Sequence, residues 1–145
     1  MIRLARYLSK FPILEIRYKW QDFPGILNCF SDSDWAGCLQ SRRSTSGGRI
    51  FFGKHWIRHW SKLQPCVSLS SAEAEFYSMV RCVSEGMGIQ GSLRDIGINA
   101  TIHSLIDASA ARGNAMRKGS GRIKHLEAQN LRVQEKVNRG LVKVI

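Results

Sequence analysis

The chain has 145 residues, 43% of them hydrophobic, with 22 lysines and arginines against 11 acids and a formal charge of +11. That length suits one domain with a real core and that apolar content excludes a disordered chain, while no apolar run nears the ~20 residues of a membrane-spanning helix. The charge favours a polyanionic partner, nucleic acid ahead of an acidic membrane surface, because cations set near phosphates release counterions.

The four cysteines, Cys29, Cys38, Cys66 and Cys82, form no C-x-x-C pair. This argues against zinc and for a reduced, intracellular protein, cytoplasmic or nuclear. The first twenty residues hold one acid, Glu15, a composition that a mitochondrial presequence shares. Arg3, Arg6 and Lys10 interrupt the apolar core that a secretory signal needs.

Leu4, Tyr7, Leu8 and Phe11 fall at i, i+3, i+4 and i+7 and predict a short amphipathic helix that Pro12 stops. Residues 13–20 alternate as a strand does, and Pro24-Gly25 marks a turn. Residues 26–31 predict a strand apolar on both faces, hence a central one, running straight into Asp32. Residues 39–48, rich in Ser, Arg and Gly, read as a hairpin loop, with strands at 49–52 and 56–61 divided at Gly53-Lys54. Ser70-Ser71-Ala72-Glu73 is a capping box, in which the hydroxyl accepts the Glu73 N–H and the Glu73 carboxylate reaches back. The helix it opens carries the apolar stripe Ala72, Phe76, Met79, Val80 and Val83, and glycines at 86, 88 and 91 weaken its end. Residues 101–106 predict a strand ending at Asp107, followed by a small helix at 108–115 and a basic loop at 117–124. A last helix runs from 123 or 125 to 137, with Gly140 and a strand at 141–145 behind it. Strands first, then helices alternating with strands, give an α/β chain with a mixed sheet and helices packed on it.

With only 11 acids, their positions carry information. Asp32 and Asp107 follow apolar strands, and Glu75 lies in the first turn of a helix. Phosphodiester hydrolysis by two metals needs carboxylates converging from separate elements on two Mg²⁺ ions ~4 Å apart. A solvated turn residue or a helix cap is the plainer reading of any one of these acids.

Five blocks, in order, resemble the ribonuclease H domains of copia-type retrotransposon Pol polyproteins. They are Ser31-Asp32-Ser33-Asp34-Trp35-Ala36-Gly37; Arg42-Arg43-Ser44-Thr45-Ser46-Gly47; Trp60-Ser61-Lys62 with Gln64-Pro65 and Leu69-Ser70-Ser71-Ala72-Glu73-Ala74-Glu75-Phe76; Ile106-Asp107-Ala108-Ser109-Ala110; and Lys124-His125-Leu126-Glu127. The likeness covers residues 26–145, and residues 1–25 resemble the tail of the reverse transcriptase connection that precedes such a domain. It implies a ribonuclease H-like α/β fold, a five-stranded mixed sheet with helices on both faces. The implied activity is endonucleolytic cleavage of the RNA strand of an RNA–DNA hybrid, with two Mg²⁺ ions (or Mn²⁺) as cofactors and an adjoining reverse transcriptase region as partner.

Carried over by position, Asp32 is the first ligand, with Asp34 as its rival. On the helix the choice lies between Glu73 and Glu75, which flank the apolar stripe on opposite sides, so periodicity leaves it open. The family pattern of an acid before an aromatic residue fits Glu75-Phe76. Asp107 is the third ligand and Glu127 the fourth. Glu127 departs from the usual Asp, and Ala108-Ser109 from the usual Asn-Gln. Those departures keep open a decayed nucleic-acid-binding remnant, and residues 1–25 keep open a structural module of a polymerase. His125 is a candidate proton shuttle, with a surface role as its alternative. Arg42, Arg43, Lys62, Arg117, Lys118, Arg122 and Lys124 are candidates for phosphate contacts. Trp35 and Trp60 are candidates for stacking on the substrate or for the core.

Overall fold

A computed structural model describes residues 2–13, 15–106 and 128–145. Its elements in chain order are α1 (Ile2–Lys10), β1 (Ile26–Asp34), β2 (Thr45–Phe52), β3 (His55–Leu63), α2 (Ser71–Asp95), β4 (Thr101–Leu105), α3 (Ala128–Asn138) and β5 (Val142–Val144). The strands form one sheet in the order β3-β2-β1-β4-β5. β1 pairs antiparallel with β2 and β2 with β3, while β1–β4 and β4–β5 are parallel. This is the five-stranded mixed sheet expected, with the 26–31 segment at its centre.

Alternation along β1 puts Leu27 and Cys29 on one face, fully buried against α2. Ile50, Ile102, Val142 and Val144 extend that face across the sheet, and Phe76, Met79, Val80, Cys82 and Val83 of α2 close over it with Val133 of α3. Each such side chain taken from water stabilises the fold by about 1.5–3 kcal/mol. Both packed helices therefore lie on one face. α1 buries none of its residues, and the segment predicted helical at 108–115 lies outside the described residues. The basic loop at 117–124 lies outside them too.

Ser70 is the N-cap of α2, its hydroxyl accepting the Glu73 N–H at 3.2 Å, as the capping box predicts. The helix then passes straight through Gly86, Gly88 and Gly91, because packing on the sheet outweighs the local propensity cost.

Three expectations are corrected. Residues 13–20 alternate but form no strand among the described residues. Side chains tie them to the hairpin instead: Tyr18 Oη donates to Trp56 O at 2.7 Å and the Lys19 carbonyl lies 2.7 Å from His55 Nε2, while just beyond the segment Gln21 Nε2 donates to Phe52 O at 2.9 Å. β1 does not end before Asp32 but continues through Asp34, since the antiparallel partner persists to Thr45. The 39–48 loop is correspondingly shorter, residues 45–48 being part of β2.

Candidate active site

The end of β1 and the first turns of α2 meet over a set of short polar contacts. Ser78, fully buried on α2, donates its hydroxyl to Asp32 O at 2.6 Å and lies 3.2 Å from Gly47 O, tying the helix to the paired strands at the level of Asp32. Glu75 sits three residues earlier on the same side of the helix. Its Oε1 accepts the Ser33 N–H at 3.1 Å and the Ser33 hydroxyl at 2.8 Å. Asp32 Oδ1 accepts the same Ser33 N–H at 2.9 Å. The two carboxylates thus share one donor and lie within two hydrogen-bond lengths of each other. Oxygen-only donors of this kind suit a hard divalent cation.

Glu73 is turned elsewhere: its Oε2 accepts the Leu69 N–H at 2.8 Å, completing the cap. Of the two helix acids it is therefore Glu75 that meets β1. Asp34 is exposed, and its carboxylate folds into the space that a Cβ on Gly37 would fill. Asp107, Glu127, His125, Arg117, Lys118, Arg122 and Lys124 lie outside the described residues. Among the described residues, no three His, Cys, Asp or Glu side chains come together as a metal site. β4 runs parallel to β1 with Leu105 beside Phe30, and Ile106 lines the same groove as Asp32. That groove encloses about 760 Å³ and also carries Arg49, Trp56 and His59.

Three cations stand at this end of the sheet. Arg42 is exposed in the loop between β1 and β2, at a left-handed φ of 55°, its N–H donating to Cys38 O at 2.7 Å. Arg43 follows it, half-buried. Lys62 is exposed and in register with Ser46, which itself pairs with Ser33. None of the three is ion-paired among the described residues. Trp35 is 51% exposed, with its indole N–H held by Ser68 O at 3.1 Å. Trp60 is taken up by packing, its ring lying over Gly48 and under the Arg81 guanidinium at 6.0 Å.

Sequence reasoning gave no role to Ser33 or Ser78. Ser78 carried a usable signal, a serine between Phe76 and Met79 on a core-facing stripe, because a buried hydroxyl needs a partner. Nothing local distinguishes Ser33 from its neighbours in the motif.

No protein-family model matches the chain. It is 32% identical over 146 residues to the retrovirus-related Pol polyprotein from transposon RE1 of Arabidopsis thaliana, a match covering 99% of the chain and 10% of that polyprotein. It is 44% identical over 83 residues to the uncharacterized mitochondrial protein AtMg00810 of the same plant, covering 57% of the chain and 34% of that protein. The chain thus spans about a tenth and about a third of the lengths of these two relatives. In three dimensions it is similar to LC11-RNase H1 isolated from compost, with a TM-score of 0.52, 12% identity and 83% of each chain covered. It is also similar to the prototype foamy virus protease-reverse transcriptase, with a TM-score of 0.54, 9% identity, and 86% of this chain and 18% of that one covered. The chain is thus related to the retrovirus-related Pol polyproteins of transposons and has the ribonuclease H fold.

Proposed function

We propose that this chain is a copia-type ribonuclease H domain that hydrolyses the RNA strand of RNA–DNA hybrids during reverse transcription of its parent element. The observation that carries the reading is the convergence of Asp32 and Glu75, from a strand and a helix, on the single Ser33 N–H. Asp32 and Glu75 would hold the divalent cations, with Asp107 and Glu127 as the remaining ligands that the sequence offers. Bound as a pair, Mg²⁺ or Mn²⁺ supplies Lewis acidity toward the scissile phosphate and the attacking water. The chain's own part is to hold and orient. Arg42, Arg43 and Lys62 contact backbone phosphates, as would Arg117, Lys118, Arg122 and Lys124, and the fixed carboxylates set the line of attack. Water adds to phosphorus, the P–O3′ bond breaks and O3′ takes a proton, leaving a 3′-hydroxyl and a 5′-phosphate. The 2′-hydroxyls and the A-like shape of the hybrid select the strand rather than base sequence.

The test is cleavage of a labelled hybrid with Mg²⁺ or Mn²⁺, comparing the chain with Asp32→Asn. Cutting confined to the RNA strand and lost in the variant is the expected result. Folded protein that binds the hybrid without cutting it would favour the decayed remnant. That second reading is supported by Glu127 and Ala108-Ser109 at positions where the family has Asp and Asn-Gln.

A further inference from the structure

The segment between β3 and α2 contains a buried amide that none of the chemistry above uses. Gln64 is 3% exposed, and its side chain bonds in three directions. Nε2 donates to Ala74 O at 2.9 Å and to Ser46 Oγ at 2.9 Å, while Oε1 accepts the Ser68 hydroxyl at 2.8 Å. Its backbone N–H donates to Ser44 O at 2.7 Å. A carbonyl oxygen can only accept, so the bond to Ala74 fixes which end of the amide is the NH₂. Both amide hydrogens are then used.

The partners of this amide flank the contact between Glu75 and Ser33. Ser46 is the register partner of Ser33 on the neighbouring strand, and Ala74 is the residue before Glu75. The contacts close a ring from Ser33 across the strand pair to Ser46, through Gln64 to Ala74, along one residue to Glu75, and back to Ser33 at 2.8 Å. The third bond, through Ser68, reaches the residue whose carbonyl holds the Trp35 indole. Buried amides with every group paired are rigid, because breaking one bond strands a polar atom away from water.

We infer that Gln64 is a positioning residue for the metal-binding carboxylates, setting the height of the first turn of α2 so that Glu75 faces Asp32 across Ser33. This rests on the proposed role of Asp32 and Glu75. Gln64 touches no substrate; it acts through Ala74 and Ser46. Groups that orient metal ligands typically change metal affinity by about 10–100-fold when removed.

Two readouts on the full chain separate this proposal from the one it rests on. The first is Mn²⁺ affinity, followed by titration calorimetry or by the spin resonance of free Mn²⁺, on the chain, Gln64→Met and Ser68→Ala. Gln64→Met keeps the length and loses every side-chain bond, and Ser68→Ala removes only the donor to Oε1. Affinity about tenfold weaker in Gln64→Met and less affected in Ser68→Ala, with hybrid affinity unchanged, is the expected result. The second readout is hydrogen exchange at the Ser33 amide, which reports the Glu75–Ser33 tie without any metal. It should quicken in Gln64→Met more than at amides of β5, which Gln64 does not contact. If Gln64→Met fails to fold, Ser68→Ala decides both readouts, with changes of a few-fold supporting the proposal. A chain that binds no Mn²⁺ yet shows the Ser33 effect would sink the metal reading and leave the clamp standing. Folded variants with lower stability but unchanged Mn²⁺ affinity and unchanged Ser33 exchange would reduce Gln64 to a packing residue and overturn the inference.

Discussion

The three glycines in the C-terminal half of α2 should respond oppositely to the same substitution. A Cβ on Gly88 or Gly91 would meet nothing within 4 Å, whereas one on Gly86 would lie 2.7 Å from Cys29 Sγ and 3.8 Å from Ile102 Cδ1. Alanine in place of glycine inside a helix gains about 0.4–1 kcal/mol, chiefly by restricting the unfolded chain. Gly88→Ala and Gly91→Ala should each stabilise by that amount. Together they should raise the melting midpoint by roughly 3–8 °C, at about 4 °C per kcal/mol for a domain of this size. At Gly86 the same gain is present, but Cys29 is fully buried in the central strand and its short side chain cannot swing clear. Overfilling a packed core costs about 1–3 kcal/mol, so the steric loss exceeds the helical gain and Gly86→Ala destabilises. Cys29→Ala removes the obstructing sulfur, so the two changes should couple by about 1 kcal/mol or more in a double-mutant cycle. Urea unfolding followed by circular dichroism measures all of these proteins. Gly86→Ala as stabilising as Gly88→Ala, or additive with Cys29→Ala, would refute the packing of α2 on β1 described above.

Other consequences are as direct. Ser78→Ala should cost about 1–3 kcal/mol, because the hydroxyl that binds Asp32 O is lost from a fully buried position. Ser84→Ala, whose hydroxyl bonds only Val80 O of its own helix, should stay within about 0.5 kcal/mol in the same unfolding assay. Joint replacement of Arg42 and Arg43 by alanine should weaken hybrid binding without regard to base sequence. It should also lower the slope of log affinity against log salt by about one for each phosphate that is no longer neutralised; an unchanged slope would remove them from the interface. Hydrogen bonds from Ser41 hold the Cys38 thiol below its ordinary value, while the hydrogen bond with Cys29 and burial push Cys82 up. Since the thiolate is the nucleophile, a thiol reagent should label Cys38 in the folded protein well before Cys82. Ser41→Ala should move the Cys38 rate profile to higher pH, and Cys82 labelling at the rate of Cys38 would contradict this.

Local chemistry alone determined a good part of this molecule. The stop of α1 at Pro12, the cap at Ser70, the turn at Gly53 and the strand leading to Asp32 depend on residues within one turn or one strand of each other, and the sequence displays such neighbours directly. The order of five recognisable blocks likewise pointed to the ribonuclease H fold. Tertiary structure decided what depends on contact between distant segments. Residues 13–20 have the alternation of a strand but bond the hairpin through side chains, and alternation does not reveal that. β1 extends to Asp34 only because β2 stays paired with it as far as Thr45. Glu73 and Glu75 are equivalent by periodicity, and the placement of α2 over β1 separates them, leaving one at the cap and bringing the other to Ser33. Trp35 and Trp60 are equally aromatic in the sequence, yet the missing side chain of Gly48 draws only Trp60 onto the sheet. A helical or alternating pattern states which face of an element is apolar; which residue of another element stands opposite it is fixed only when the layers pack.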